Sequence, residues 1–299
     1  MSGEVNLVST RTHERNGRVG WITIERPAKL NALDAATIRD LAAAAKSVAA
    51  EPDLRAVVVT GAGERAFVGG ADVDTMAALD AASAETFITE LHRAIAAVRD
   101  LPVPVIARVN GYCLGAGLEL AAACDLRLAA ENAMFGMPEV KVGMPSVIEA
   151  ALLPRLIGWG QTARLVLLGE NIDAGEALAI GLIEKVVARV DLDRAVEAWI
   201  DAIVAAGPQA VRIQKALMRE WERLPLDAVS MLVEESAPAL ALPPAPGAPR
   251  AAASATEPLE FPCPACAALL RVPRQLAGKK ARCPRCQGVT SVPTGSPAS

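Results

Sequence analysis

The feature that most constrains the fold is the stretch 110–139, in which a turn of small residues joins an apolar strand to an apolar helix. The run VPVIARV leads into the stretch, and Gly115-Ala116-Gly117 opens the helical run that follows. The first N–H groups of a helix lack intrahelical partners, so they point outward and favour negative charge. Glu119 lies in the first turns of this helix. Glu139 follows a second strand-like run and a tight turn, and its spacing allows it to return to the same pocket. Two carboxylates facing one small substrate are the groups that proton transfer at carbon requires.

Five segments in a fixed order resemble the crotonase, or enoyl-CoA hydratase/isomerase, family. They are ERPAKLNAL at 25–33, AFVGGADV at 66–73, NGYCLGAGLELAAACD at 110–125, FGMPEVKVGMP at 135–145 and GEALAIGLIEKVV at 175–187. The resemblance covers roughly residues 17 to 240. It implies an α/β fold, the crotonase-like ββα superhelix with a C-terminal helical segment, over residues 1–240. It also implies a coenzyme A thioester as the substrate.

Composition sets wide limits on the protein class. The 299 residues are 52% hydrophobic and 21% charged, as expected for a globular chain with a substantial core. The formal charge of −4 gives no whole-chain reason to expect nucleic acid or an anionic membrane as a partner. The N-terminal residues show no secretion pattern, and no apolar run reaches the length of a membrane span. We therefore expect a cytoplasmic protein that does not contact membranes.

The segment AFVGGADV contains the first predicted donor to a thioester oxygen. Gly69 and Gly70 allow the backbone to approach a ligand closely, and by resemblance the N–H of Ala71 is the first oxyanion donor. Taken alone, the segment is more typical of an ordinary glycine turn in which Asp72 caps the next helix. The resemblance places the second donor at Ala116, where many family members carry glycine, and implies that Gly115 also contacts the coenzyme A thioester.

The two glutamates match the positions of both catalytic glutamates of the hydratases. Separately, Glu119 is also typical of a buried structural acid and Glu139 of a turn residue. Relatives that isomerise double bonds or cleave thioesters usually keep only one carboxylate, so the pair favours hydration of a 2-enoyl-CoA. The family pattern favours Glu139 as the proton donor to C2 and Glu119 as the partner of the water. The enoyl-CoA isomerase and thioester hydrolase activities remain alternatives.

Other polar residues have weaker assignments. By resemblance, Lys29 and Leu30 lie near the adenine end of coenzyme A, although Lys29 taken alone is more typical of a solvated loop. The segment after Glu139 departs from the hydratases, because Pro145 is not followed by the usual Gly-Gly-Thr turn. This departure brings a third carboxylate, Glu149, near the pocket, unless it only begins a helix. His13 and His92 match no motif position, and Cys113 and Cys124 are expected in the core.

Periodicity and end signals predict the local structure. We expect strands at 18–25 and 56–61. We also expect a helix from Asp34 to Ala50, capped by Asn31 or Asp34, and a second helix from Ala84 to Arg99. Three helical runs follow in 193–240. The resemblance places them against a neighbouring subunit, which implies a homotrimer or a hexamer, and a basic residue such as Lys215 or Arg219 is conceivable as a coenzyme A contact.

A second module is predicted at the C-terminus. Residues 241–258 are rich in proline and alanine and are expected to form a linker. Residues 259–299 contain a Cys-x2-Cys pair, sixteen intervening residues and a second pair, which is the spacing of a zinc ribbon. The four predicted ligands of a structural zinc ion are Cys263, Cys266, Cys283 and Cys286. No redox cofactor is expected.

The partner of the ribbon is left open by the sequence. Residues 271–285 contain six basic residues and no acid, which suits phosphate backbones, but Phe261 is the single aromatic residue of the module. Docking to a protein, or capping of the oligomer, is therefore favoured over nucleic-acid binding. A further alternative is a weakly catalytic scaffold that acts through its ribbon.

Overall fold

The computed structural model describes residues 7–222, 259–272, 277–283, 285–286 and 288–293. The chain divides into two compact units, Met1–Leu240 and Ala241–Ser299. The third helical run predicted within 193–240 lies beyond residue 222, outside the described residues, as does the predicted linker.

The first unit contains ten strands and eight helices within residues 7–222. The strands are β1 (Val8–Glu14), β2 (Arg18–Ile24), β3 (Leu54–Gly61), β4 (Ala66–Val68), β5 (Val105–Val109), β6 (Tyr112–Leu114), β7 (Leu126–Ala130), β8 (Met134–Gly136), β9 (Asn171–Asp173) and β10 (Lys185–Val187). The helices are α1 (Ala35–Ala49), α2 (Val73–Ala77), α3 (Ala81–Arg99), α4 (Ala116–Ala123), α5 (Leu153–Leu168), α6 (Ala174–Ala179), α7 (Leu192–Ala205) and α8 (Pro208–Trp221). Short 3₁₀ helices span Pro27–Lys29, Pro138–Val142, Glu149–Leu152 and Arg189–Asp191.

The larger sheet has six strands in the order β1-β2-β3-β5-β7-β10. All of its strand pairs are parallel except β1 with β2. Every residue of β3 is buried, because helices cover both faces of the sheet. Val57 and Val59 belong to the core shared with α1 and α3. Ala56 and Val58 pack with the apolar face of α7 on the opposite side.

The smaller sheet has the order β4-β6-β8-β9. The polar residues of the site lie in the segments that follow its strands. Strands β4, β6 and β8 run parallel, so their carboxyl ends lie at one edge. Each of the first two strands leads into a helix, β4 into α2 and β6 into α4. Helix α4 packs closely on β4, since a Cβ at Gly117 would lie 2.1 Å from the carbonyl oxygen of Val68.

The predicted strands and the first predicted helix are confirmed. Strands β2 and β3 coincide with the predicted segments to within two residues, and α1 begins after Asp34, whose side chain accepts a hydrogen bond from the N–H of Thr37 at 2.8 Å. The predicted start of the second helix at Ala84 is wrong. Helix α3 begins three residues earlier because Asp80 and Ser83 form a capping box.

Helix α8 is held by a buried ion-pair cluster. The ammonium of Lys215 lies 2.8 Å from the carboxylate of Asp125 and 2.8 Å from the carbonyl oxygen of Val103. The guanidinium of Arg219 lies 2.9 Å from the second oxygen of the same carboxylate. These contacts use both basic residues to anchor α8. Neither lines the cavity described below, so the structure gives no support to a coenzyme A contact by either of them.

The second unit consists of two β-hairpins. Strand β11 (Leu259–Pro262) pairs with β12 (Leu269–Val272), and β13 (Lys280–Arg282) pairs with β14 (Val289–Ser291), both antiparallel. A small core of Phe261, Leu270, Val292 and the first cysteine of each pair holds the hairpins together. In the described parts of both units, no helix is long and apolar enough to cross a lipid bilayer.

Candidate active site

A cavity of about 210 Å³ lies where the β4–α2 and β6–α4 connections meet the segment that follows β8. Its lining combines backbone from glycine-rich turns, two glutamates and an apolar wall. The residues are Gly69, Gly70, Ala71, Val73, Met76, Ile88, Leu91, Gly115, Ala116, Glu119, Pro138, Glu139, Lys141, Val142, Met144, Pro145, Ser146, Val147 and Ile148. The structure therefore brings together both predicted glutamates and both predicted oxyanion donors.

The N–H of Ala71 remains available to a ligand because of how the segment around it pairs with Leu33. Leu33 forms a parallel bridge with Ala71, and this bridge uses the carbonyl of Gly70 and the N–H of Asp72. The N–H of Ala71 is not used in the bridge and points away from Leu33. Gly70 has φ +117°, a conformation that side chains rarely adopt. The prediction that Asp72 caps a helix is confirmed, because its carboxylate accepts the N–H of Thr75 at 3.1 Å.

The second predicted donor begins α4. Ala116 is the first residue of this helix, so its N–H has no intrahelical acceptor. Gly115, the preceding residue, has φ 51° and ψ −121° and therefore carries the sharp change of direction between β6 and α4. Two backbone N–H groups, from Ala71 and Ala116, thus face one cavity from different elements. This arrangement suits a ligand oxygen that gains negative charge.

Gly115 also makes room for Glu139. A Cβ at Gly115 would lie 2.6 Å from Oε1 of Glu139, closer than the two atoms can approach. Glycine is thus required at this position for two reasons. The backbone has a positive φ, and the carboxylate of Glu139 occupies the space that a Cβ would fill. A contact between Gly115 and the ligand remains a prediction. The structure adds that Gly115 leaves space for the carboxylate of Glu139.

Glu119 is a buried carboxylate with a strongly perturbed affinity for protons. The residue is 4% exposed, and its Oε1 accepts the N–H of Ala150 at 2.9 Å. Burial, together with the negative charges of Glu139 and Glu149, raises the pKa of Glu119 to about 7, against the opposing effect of the hydrogen bond from Ala150. A carboxylate that titrates near neutral pH is suited to exchanging protons with a substrate.

Glu139 lies on the 3₁₀ helix that begins at Pro138. Burial raises the pKa of its carboxyl group above the usual value, while the hydroxyl of Ser146 opposes the rise. Oε2 of Glu139 and Oγ of Ser146 are both buried, and within residues 7–222 neither has a fully formed hydrogen bond. Buried polar atoms rarely remain without partners. These two atoms line the cavity and are therefore available to a bound substrate or water.

Lys29 and Leu30 lie at the edge of this arrangement. The side chain of Lys29 is 59% exposed and its ammonium lies 2.9 Å from Asp74. The carbonyl of Leu30 accepts the N–H of Gly69 at 2.8 Å, which fixes the turn that carries the first predicted oxyanion donor. Neither residue lines the cavity. Their contact with coenzyme A remains a prediction.

Sequence reasoning missed two polar features of the site. The first is Ser146, which lies beside Glu139 in the segment where the sequence departs from the hydratases. The second is the contact between Nδ1 of His92 and Oε1 of Glu149, 2.6 Å apart. The buried position of Glu149 near Glu119 supports the prediction of a third carboxylate close to the pocket. No local signal pointed to His92, because its partner is 57 residues away in the chain.

The four predicted metal ligands also converge, within the second unit. The Sγ atoms of Cys263 and Cys286 are 3.7 Å apart, as are those of Cys266 and Cys283, and all four lie within 4.8 Å of one another. None of the four is in a disulfide. Their donor set and spacing are compatible with one tetrahedral metal ion.

Comparison with known proteins places residues 14–234 in the family described as enoyl-CoA hydratase/isomerase. The chain is 36% identical over 215 residues to a protein of Clostridium acetobutylicum named short-chain-enoyl-CoA hydratase, with 72% of this chain and 82% of that protein covered. It is 37% identical to the crotonyl-CoA hydratase of Syntrophomonas wolfei, with 72% and 83% covered.

A solved structure agrees with the sequence comparisons. The enoyl-CoA hydratase of Bacillus anthracis matches with a TM-score of 0.73 and 31% identity, over 78% of this chain and 90% of that chain. The family match ends at residue 234, so the cysteine module lies beyond it.

Proposed function

The chain belongs to the enoyl-CoA hydratase/isomerase family, and from that premise we propose that it is an enoyl-CoA hydratase. It adds water reversibly across the 2,3 double bond of an enoyl-CoA thioester. The observation that carries the proposal is the meeting of Glu119, Glu139 and two backbone N–H groups at one small cavity.

The N–H groups of Ala71 and Ala116 bind the thioester oxygen of the substrate. As water attacks C3, electrons move through C2 and the carbonyl, and this oxygen gains enolate charge. Donors that are fixed in advance stabilise that charge without reorganisation, and removal of one such donor costs an enzyme about 10²–10³ in kcat. Gly70 and Gly115 supply the backbone conformations that hold the two N–H groups at the cavity.

Glu119 and Glu139 divide the proton transfers. The ionised carboxylate of Glu119 accepts a proton from water as the water oxygen bonds to C3. The protonated carboxyl of Glu139 gives its proton to C2, and the enolate collapses to the saturated thioester. Burial raises the pKa of Glu139, which favours the protonated form required of a donor. The enzyme returns to its starting state when Glu119 releases its proton and Glu139 regains one.

The cavity favours a short acyl group. Its volume of about 210 Å³ lies below the range of about 300–1,000 Å³ that is typical of pockets for drug-sized ligands. Apolar side chains of Met76, Ile88 and Leu91 form one wall, and Val147 and Ile148 contribute to another. Such walls suit an unbranched hydrocarbon chain rather than a charged acyl group.

The proposal is tested with a panel of enoyl-CoA thioesters of increasing chain length, with products identified by mass spectrometry. We expect the 3-hydroxyacyl-CoA product, with the highest kcat/KM for the shortest substrates. A shifted double bond as the main product would instead indicate an isomerase, and release of free coenzyme A would indicate a thioester hydrolase. Binding of thioesters without turnover would favour a scaffold.

For the second unit we propose a zinc ribbon with one structural Zn²⁺ held by Cys263, Cys266, Cys283 and Cys286. Four sulfur atoms at the usual Zn–S distance of about 2.3 Å lie about 3.8 Å apart in a tetrahedron, close to the 3.7 Å of two of the sulfur pairs. Zinc would draw the two hairpins together and supply folding free energy to a module with a small core. A four-thiolate site leaves no position for a catalytic water.

Metal analysis of the full chain tests the zinc site. We expect one zinc per chain, lost in the Cys283→Ser variant, with hydration activity retained. Absence of bound metal from protein expressed with zinc would refute the site, and loss of hydration would refute the separation of the two functions.

Three further features belong to the proposal. The enzyme is a homotrimer or a dimer of trimers, it acts in the cytoplasm, and its ribbon docks a protein rather than nucleic acid. Lys279, Lys280, Arg282 and Arg285 are exposed, while Phe261 is buried in the ribbon core and offers no surface for base stacking. Light scattering at micromolar concentration tests the assembly, and a monomer would contradict it.

A further inference from the structure

The contact between His92 and Glu149 lies behind the cavity rather than in it. His92 projects from α3, and Glu149 begins the 3₁₀ helix Glu149–Leu152, which packs on α4. Neither residue lines the cavity, although Glu119 of α4 does. The pair is therefore placed to act on Glu119 and not directly on a substrate.

Two connections link Glu149 to Glu119. The first is covalent, because the N–H that Glu119 Oε1 accepts belongs to Ala150, the residue after Glu149. The second is electrostatic, because the negative charge of Glu149 raises the pKa of Glu119. A shift in the position of Glu149 would thus change both a hydrogen bond and a charge at the proposed catalytic carboxylate.

Glu149 itself depends on His92. Its side chain is only 7% exposed, and burial raises the pKa of its carboxyl group. The hydrogen bond and charge of His92 oppose this rise, as does the charge of Arg99 further along α3. The second oxygen of Glu149 is buried, and among residues 7–222 it has no hydrogen-bond partner. A buried carboxylate with one satisfied oxygen requires that contact to remain ionised.

We propose that His92 and Glu149 form a positioning pair for Glu119: His92 holds Glu149 in place and ionised, and Glu149 holds a negative charge and the N–H of Ala150 against the carboxylate of Glu119. This inference rests on the proposed function only for its consequence in catalysis. The side chain of His92 is 55% exposed, so the pair also connects the surroundings of Glu119 to solvent.

The direction of the effect follows from the charges around Glu119. The acidic groups that raise the pKa of Glu119 are Glu139 and Glu149, and the basic groups that act on Glu149 are His92 and Arg99. Replacing Glu149 by Gln removes one negative charge and keeps a group that can bond to His92. The ionised form of Glu119, which accepts the proton from water, then persists to lower pH.

The first experiment follows Glu119 directly and needs no turnover. The full chain is labelled with ¹³C at the glutamate carboxyl groups, and the resonance that is missing in Glu119→Gln is titrated by NMR. We expect a midpoint near 7, displaced in Glu149→Gln to lower pH by at least about 0.3 unit, a twofold change in the ionisation constant. Glu85→Gln removes an exposed acid from the same helix as His92 and is expected to cause no shift. An unchanged midpoint in Glu149→Gln would overturn the proposal.

A double-mutant cycle then tests His92. We expect His92→Gln to move the Glu119 midpoint in the wild-type background and to have no effect in the Glu149→Gln background. Equal shifts in both backgrounds, or none in either, would refute the pair.

Hydration kinetics supply the functional measurement. The acidic limb of the kcat/KM profile for crotonyl-CoA is expected to move to lower pH in Glu149→Gln. A uniform loss of kcat at every pH, with the limb unmoved, would show a merely structural role. If the wild-type protein does not hydrate crotonyl-CoA while the NMR midpoint still moves, the proposed function fails and the positioning pair stands.

Discussion

Replacing Glu119 by Gln is expected to stabilise the protein at alkaline pH while it disables hydration. The folded chain holds Glu119 with a pKa raised from 4.5 to about 7, so folding opposes its ionisation. At 1.36 kcal/mol per pKa unit, this corresponds to roughly 3 kcal/mol of lost stability once the group is ionised in both states. Gln keeps an oxygen that can accept the N–H of Ala150 and carries no charge.

The sign of the pH dependence follows from the raised pKa. Below the unfolded value of 4.5, Glu119 is protonated in both states and imposes no cost. As pH rises from 4.5 towards 7, the unfolded chain ionises first, and wild-type stability falls. We therefore expect Glu119→Gln and wild type to differ little near pH 4.5 and the variant to be more stable by up to about 3 kcal/mol at pH 8.

The difference is measured by urea unfolding of both proteins at a series of pH values, with Glu85→Gln as a matched control for removal of an exposed acid. The control is expected to show no comparable trend. A Glu119→Gln variant that is no more stable than wild type at pH 8 would refute the claim that ionised Glu119 lowers the free energy of unfolding.

Three other substitutions test separate parts of the structure. Gly115→Ala introduces a Cβ 2.6 Å from Glu139 at a positive φ and is expected to reduce kcat and to lower the free energy of unfolding by about 1–3 kcal/mol; normal activity would contradict the seating of Glu139. Lys215→Met leaves Asp125 with one of its two cations and is expected to lower the free energy of unfolding by about 3 kcal/mol. The exposed substitution Lys46→Met is the control, and equal stability of the two variants would refute the anchoring of α8. Lys29→Ala is expected to raise KM for crotonyl-CoA but not for crotonyl-pantetheine, which lacks the nucleotide phosphates; an equal effect on both would exclude a phosphate contact.

The parts of the site that local sequence could predict are those built from turns. Gly70 and Gly115 lie at positive φ because the chain reverses next to a ligand cavity, and glycine in an apolar context indicates such a position. The helix that follows each turn then fixes where Ala71 and Ala116 lie. Asp34 and Asp72 were predictable as caps for the same local reason.

The parts that sequence could not predict depend on contacts between distant elements. His92 meets Glu149 only because α3 and the 3₁₀ helix Glu149–Leu152 both pack on α4, and Lys215 meets Asp125 across 90 residues. Strand β1 was not predicted either, although its seven residues pair with all of β2. Six of those residues are polar or charged, so the pattern gave no buried face to detect.

The central claim is that two carboxylates at one cavity carry out the hydration, and the hydration rate of Glu119→Gln and Glu139→Gln with crotonyl-CoA tests it most directly. Removal of a general acid or base typically costs about 10²–10⁴-fold. We predict that each variant loses at least about 100-fold in kcat while calorimetry shows that it still binds a saturated acyl-CoA. Wild-type kcat in either variant would contradict the assignment of that glutamate.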